Sequence, residues 1–428
     1  MSSGSHAVPP VPSPAPPQRH DAYASFQLPD FRWYILCVLT ATIAAQAQVL
    51  VVSWQVYSIT HDPLSLGIIG LSEAIPFIGF SPLAGHAADR RSRRSVTRGA
   101  LAVLFLCSVA LLALSLDVSL IRRAGAWPFY IVIFVNGSAR SFYQPARSAL
   151  GVDIVPRSLY ANAVAWRSST WQGAAVLGPA IGGLVYGFGS APLAYVMDAL
   201  LLVIAIFSVW RIRDIPPDAS AASSTGSVVE GFLSSLRFLA GQRVLLGAML
   251  LDVLSVLMGG AEALLPVFAA DILHVGPEGL GVLRAAPAVG AVIMSLYLAH
   301  RAPFARAGRS LLTAVAVFGT CIIGFGLSRS MGLSLVLLGV SGMADNVSVQ
   351  IRSLLLQTLV PRHLLGRMMS INSIFVGSSN ELGAFESGVT ARLLGAVPAV
   401  IIGGIAALGV VGATSASVPQ LRELARIE

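Results

Sequence analysis

No lysine occurs in this chain of 428 residues; its 28 basic side chains are all arginine. Charge of either sign is scarce, at 11% of residues, where a soluble domain carries roughly 25%. With 55% hydrophobic residues and a mean hydropathy of +0.77, the chain has more apolar side chain than one core can hide. The surplus needs lipid, which excludes an ordinary soluble protein. Cysteine is scarcer still: Cys37, Cys107 and Cys321, an odd number, each lie inside an apolar run. That excludes a disulfide framework and leaves three small packing residues. The seven histidines are scattered, with no pair at metal-ligand spacing. No phosphate loop of Walker type is present. No metal, cofactor or ATP is therefore expected, and a membrane-embedded enzyme is a remote alternative. The formal net charge is +8. The arginines fall in short loops between apolar runs, where they orient a membrane protein, so no nucleic-acid partner is expected.

What is present is a series of twelve apolar runs, each long enough to cross about 30 Å of hydrocarbon. They lie near 33–57, 64–84, 95–116, 128–149, 161–187, 190–210, 243–269, 276–299, 310–328, 332–353, 366–393 and 396–416. The predicted fold is all-α and polytopic. A Pro/Ser/Ala-rich disordered tail (1–30) precedes a six-helix bundle (31–212). A linker (213–242) carries a short amphipathic segment, Val228 to Leu239, at the membrane surface; a second six-helix bundle (243–416) and a tail (417–428) follow. A cytoplasmic N-terminus puts most arginines on the cytoplasmic side, Arg147 and Arg352 among them, and leaves only Arg122, Arg123, Arg329 and Arg392 outside. That bias places both termini and the linker in the cytoplasm.

The two bundles look like a duplication. "VPRSL" at 155–159 and "VPRHL" at 360–364 are 205 positions apart. The same offset superimposes Gly137 on Gly342, Arg147 on Arg352, Ser148 on Ser353, Gly178 on Gly383 and Gly183 on Gly388. The second and eighth spans match more weakly, "LGIIGL" from Leu66 with "LGVLRA" from Leu280. Parallel six-helix repeats are a layout of secondary transporters, with the solute held between them near the midplane.

Three stretches carry a family resemblance. "LAGHAADRRSRRS", Leu83 to Ser95, wedges one acid and four arginines between two apolar spans. It resembles the loop between the second and third helices of the major facilitator superfamily, roughly G-x-x-x-D-R-x-G-R-R. Gly85, Asp89, Arg90, Arg93 and Arg94 match; Ser92 stands where the family usually has glycine. The resemblance implies a gating latch, with Asp89 at a helix N-terminus paired to arginine across the bundle. In the second half "LAHRAPFARAGRS" keeps the basic character but has Pro303 at the Asp89 position. "GAAVLGPAIGGLVYG" resembles the antiporter-type helix of the superfamily's drug–proton exchangers. Gly178, Pro179, Gly182 and Gly183 match directly, and Gly173 lies one residue further upstream than usual. Close packing there would seal an exporter against proton leak; the same glycines also suit ordinary helix packing. Over nearly all of 30–416 the chain is similar to bacterial enterobactin-exporter-like members, which share much of their pattern with macrolide and multidrug exporters.

Ten ionisable residues fall well inside the spans, away from their ends: Glu73, Arg140, Arg167, Asp198, Asp252, Glu262, Arg284, Asp345, Glu381 and Glu386. Each is costly in hydrocarbon, so such groups line a cavity or pair. In the seventh span Asp252, Ser255, Gly259 and Glu262 have spacings that put them on one helix face. In the eleventh, Asn372, Ser379 and Glu386 recur every seven residues. The repeat sets Arg140 opposite Asp345, and Glu381 and Glu386 where the first half has Val176 and Ile181. Low dielectric favours the neutral form of a carboxyl group, so such an acid can carry a proton. The expectation is a proton-coupled exporter of the bacterial cytoplasmic membrane, moving a siderophore or other small organic solute by alternating access. A multidrug or macrolide efflux pump is the alternative. Glu73, Glu262 and Glu381 lead as proton carriers, with Arg140, Asp252, Asp345 and Glu386 as further candidates for the proton or the solute.

Overall fold

The computed structural model describes residues 21–214, 228–300, 304 and 306–424. Among these residues there are helices and no strand. Six long helices come from the first half: α1 (Pro29–Thr60), α2 (Pro63–Arg90), α3 (Arg93–Leu116), α4 (Trp127–Asp153), α5 (Tyr160–Phe188) and α6 (Ala191–Arg211). Six come from the second: α7 (Arg243–Met258), α8 (Pro277–Ala299), α9 (Ala307–Leu327), α10 (Met331–Leu359), α11 (Arg362–Leu394) and α12 (Ala396–Ser417). Proline in the first turn starts α1, α4, α6 and α8, where its missing N–H has no helical partner to lose. Among the described residues, nine segments are long and apolar enough to cross a membrane by length and composition. The helices outside that set are α4, α5 and α11, which carry much of the polar machinery described below. Only 17% of the apolar stretch of α8 is buried within the molecule. Exposed apolar side chains on it, such as Ile293 and Leu296, are suited to contact with lipid.

Each helix of the first half packs as its counterpart does in the second. In the first half α2 packs on α4, α4 on α3, α3 on α6, α6 on α1 and α1 on α5; in the second α8 packs on α10, α10 on α9, α9 on α12, α12 on α7 and α7 on α11. Two seams join the halves, α2 against α11 and α5 against α8. The corner after the first helix of each half is repeated too. Among the described residues, His61 (φ 48°) and His274 (φ 51°) are the only non-glycine residues in the left-handed region. Each stops its helical segment just before a proline, Pro63 or Pro277, opens the next.

The halves meet most tightly at the end remote from the chain termini. There one apolar cluster draws Leu50, Phe129 and Leu66 from the first half and Phe268, Phe325 and Leu280 from the second. Nearer the termini the described apolar clusters belong to one half each. Gly67 and Gly388 bring α2 and α11 into backbone contact; a Cβ on Gly388 would lie 2.8 Å from the Gly67 Cα. Gly183 and Gly281 do the same for α5 and α8, with the Gly281 Cα 2.8 Å from a Cβ on Gly183. Arg392 adds an ion pair to Asp62 at 3.4 Å, and the Tyr57 hydroxyl donates to Asp271.

Two expected boundaries move. Residues 1–30 read as a disordered tail, but within the described part Ala24–Gln27 form a helical turn. Phe26 packs edge-on to Trp166 of α5 at 4.8 Å, and Trp166 donates to the Ala22 carbonyl at 2.8 Å. The aromatic contacts order a segment whose composition alone reads as solvated. At the other end Pro419–Glu423 form a short helix whose Leu421 is fully buried against the start of α9. In the 213–242 segment Val228–Gly241 is helical, and Leu239 packs into the apolar cluster of the second half.

Candidate functional site

Glu73 lies midway along the apolar part of α2, Pro63–Ser81, and pairs with Arg140 of α4. The pair forms because Gly137, one turn before Arg140, has no side chain: a Cβ there would lie 2.9 Å from the Glu73 carbonyl oxygen. On its other side α2 presents Gly70 to α11. A Cβ on Gly70 would lie 2.8 Å from the Glu381 carbonyl oxygen and 3.6 Å from the carboxylate Oε2. Glu381 in turn interacts electrostatically with Arg140 and with Arg284 of α8, and Arg284 with Glu262 beyond the end of α7. Acid and base therefore alternate, Glu73, Arg140, Glu381, Arg284, Glu262, across both halves. Glu73 and Arg140 are in direct contact, and the other three act on the row electrostatically. Glu262 is exposed and the remaining four are half-buried; each has an opposite charge acting on it, which offsets the cost of low dielectric. The chain is not sealed: the side chains of Glu73 and Arg140 remain 12% and 28% exposed.

A second cluster lies wholly in the second half. Arg352 of α10 pairs with Asp252 of α7 at 2.5 Å, both side chains 5–6% exposed. Asp345, two turns before Arg352, interacts with Asp252, Arg352 and Glu262, so it links this cluster to the interhalf chain. A third group lies within the first half. Asp198 of α6 accepts from Gln48 Nε2 at 2.8 Å, and Asn136 Nδ2 donates to Gln48 Oε1 at 2.7 Å.

Several sequence expectations need correcting. Asp252 and Glu262 do not share a helix face, because α7 ends at Met258, Gly259 caps it, and the backbone turns at Gly260 before resuming as a 3-10 turn, Ala261–Leu264. Arg352 and Arg147 are not loop residues: α10 and α4 run on to Leu359 and Asp153. Arg352 is buried, and Arg147 lies 5.3 Å from the Tyr143 ring centroid. Arg140 and Asp345, equivalent in the repeat, do not meet; each is engaged within its own surroundings. Glu386 accepts from Thr390 on its own helix at 2.7 Å, apart from the chain of charges. Arg167 sits at the terminal end with Tyr34, lining a small cavity between α1, α4 and α5.

The loop motif is only partly visible. Gly85, Asp89 and Arg90 belong to the last turns of α2, so Asp89 is near a helix C-terminus and not at the N-terminus expected of it. The side chains of Asp89 and Arg90 lie outside the described residues. Arg93 pairs with Asp153 at the end of α4, and Arg94 donates to the carbonyls of Val209 (3.2 Å) and Trp210 (2.5 Å) at the end of α6. Arg94 thus caps a helix C-terminus, while Arg93 neutralises a carboxylate at the end of another helix. Ser92, the departure from glycine, caps α3 and donates to Asp214.

In α5 the motif divides in two. A Cβ on Gly178 would lie 2.6 Å from Gln46 Cβ, and one on Gly182 2.9 Å from Ala47 Cα, so both glycines seat α5 on α1. Gly183 and the Pro179 carbonyl meet α8 instead. Gly173 has open space where a Cβ would be, so the glycine off the usual spacing takes no part in the packing. The three cysteines are free and buried.

Comparisons with known proteins agree with this architecture. The chain is 24% identical over 409 residues to the multidrug efflux pump Tap of Mycolicibacterium fortuitum, covering 91% of this chain and 97% of that one. It is 28% identical over 376 residues to the enterobactin exporter EntS of Shigella flexneri, covering 87% and 86%. The crystal structure of a D-xylose–proton symporter superimposes with a TM-score of 0.69 over 95% of this chain and 100% of that one, at 13% identity. Residues 34–384 match the Major Facilitator Superfamily, and the chain belongs to it as a membrane transporter.

Proposed function

We propose that this transporter is a proton-coupled exporter of a small organic solute, working by alternating access across the bacterial cytoplasmic membrane with both termini in the cytoplasm. The observation that carries the reading is the alternating chain Glu73–Arg140–Glu381–Arg284–Glu262, which passes from the first half to the second between Arg140 and Glu381. Glu381 is the carboxylate that acts on a charge of the other half, Arg140, so protonating it removes an attraction between the halves and deprotonation restores it. Proton binding and the angle between halves are then one equilibrium, which is what coupling requires. The tight end of the molecule, remote from the termini, is on this reading the outer face, and the described state is closed to the outside.

Fully ionised, the five groups carry three negative charges and two positive ones. One excess negative charge in low dielectric disfavours a polyanionic solute and suits a neutral or cationic one. That favours an efflux substrate of the kind handled by a multidrug pump over an anionic siderophore. The test is a paired measurement in proteoliposomes on Glu73→Gln, Glu262→Gln and Glu381→Gln. Counterflow exchange reads solute binding and rocking; accumulation driven by a pH gradient reads coupling. One variant is expected to keep counterflow and lose pH-driven accumulation. Full pH-driven accumulation in all three rules out this chain as the proton path.

A further inference from the structure

The cluster inside the second half is built differently from the interhalf chain. Between α7, α9 and α10 lies a cavity of about 10 Å³, lined by Asp252, Ser255, Asp345, Ser348, Val315 and Phe318. That is about the space one water molecule needs. The hydroxyls of Ser255 and Ser348 are both buried, each residue 2% exposed, and neither Oγ has a hydrogen-bond partner. A buried hydroxyl without a partner is destabilising, and two at one cavity mark a place where something accepts or supplies their bonds. The charges are also uneven. The carboxylates Asp252 and Asp345 face a single guanidinium, Arg352, and the other charge acting on Asp345 is Glu262, which is again negative.

A water alone would satisfy the hydroxyls and leave the charge. A bare proton would cancel the charge and leave the void and the hydroxyls. An occupant that is small, positive and bound through oxygen does all three. We propose that this cavity is a binding site for one small monovalent cation, sodium or a proton carried on a water molecule, held by oxygens of Asp252, Asp345, Ser255 and Ser348, with Arg352 fixing Asp252 in place. The site lies within one half, so it does not depend on the direction of transport or on which solute is moved. Occupation changes the charge that Asp345 presents to Glu262, which connects it to the interhalf chain.

The experiment uses the purified full chain in nanodiscs and reads its thermal unfolding midpoint. One arm titrates sodium chloride against choline chloride at constant ionic strength and fixed pH. The other lowers the pH in the absence of sodium. A ligand that binds only the folded state raises the midpoint saturably. A saturable rise in the sodium arm identifies sodium; a rise confined to the acid arm identifies the proton. Asp345→Asn removes the excess charge and is expected to abolish the response. Ser348→Ala, which folds with one methyl in place of a hydroxymethyl, is expected to weaken apparent affinity by about tenfold. Ser138→Ala, in the other half and removing only a hydroxyl that donates to the Phe134 carbonyl of its own helix, is expected to keep the wild-type response. A wild type unresponsive in both arms, or a response that Asp345→Asn and Ser348→Ala leave intact, overturns the proposal. Neither result bears on the export reading, which is measured by transport.

Discussion

Gly137 of α4 rests on Glu73 of α2, and Gly342 of α10, 205 positions later, rests on Pro287 of α8. Gly183 meets Gly281 across one seam, and their counterparts Gly388 and Gly67 meet across the other. These backbone contacts survive duplication because any Cβ would separate the helices. The charges do not follow the same symmetry. Glu73 corresponds to Pro287, Gly70 to Arg284, Arg140 to Asp345 and Val176 to Glu381. The two halves therefore share a skeleton and divide the ionisable groups between them. A symmetric pair would place like charges opposite each other; the asymmetric one gives an alternating row.

Bulk at the shared contacts breaks the comparison most severely. Gly182→Leu puts a side chain into Ala47 of α1 and is expected to abolish solute transport in proteoliposomes while the protein still inserts; normal transport would mean that α5 can move off α1 without consequence. The buried arginines, Arg352 and its counterpart Arg147, sharpen it. Arg352→Leu leaves Asp252 buried without its partner and is expected to destabilise by about 3–5 kcal/mol. Arg147 rests against the Tyr143 ring, and Arg147→Leu is expected to lose only about 1–2 kcal/mol. Thermal unfolding of both variants checks the ratio, and equal losses would show that the acid in the second half adds nothing.

At the terminal end, Asp89→Asn is expected to lower transport well below wild type, whereas Ser92→Gly costs a few tenths of a kcal/mol, about the worth of the cap it removes. Transport rates of the two variants at matched expression test the order. The smallest effect is expected at Gly173, where space is open: Gly173→Ala should leave transport and midpoint within about 0.5 kcal/mol of wild type.

The fold was legible in the sequence because lipid imposes a length and a composition on each crossing. Even α4, α5 and α11, which fall outside the apolar set, were marked by length and by the repeat. The site was legible only in part. Glu73, Arg140 and Glu381 stood out as charges in apolar surroundings, yet nothing in the sequence says that Glu381 acts on both Arg140 and Arg284, because that depends on how the two halves meet along α2 and α11. Arg352 was hidden by a helix that continues past its apolar stretch. Glu262 was put on the wrong face because periodicity assumes an unbroken helix, and Gly259-Gly260 breaks it. A doublet of glycines inside an apolar run was the available signal.

The paired glycine contacts at the tight end have a mechanical consequence. Two points of backbone contact, one per seam, define a line about which the halves can swing, and the absence of side chains there makes the bearing smooth. α11 has 33 residues, a rod of about 50 Å. Pivoting near Gly388 leaves about 39 Å of lever arm to Arg362, so a tilt of about 10° displaces the terminal end by about 7 Å. That stroke is wide enough to admit a flat organic molecule, while atoms at the pivot move by less than the width of a bond.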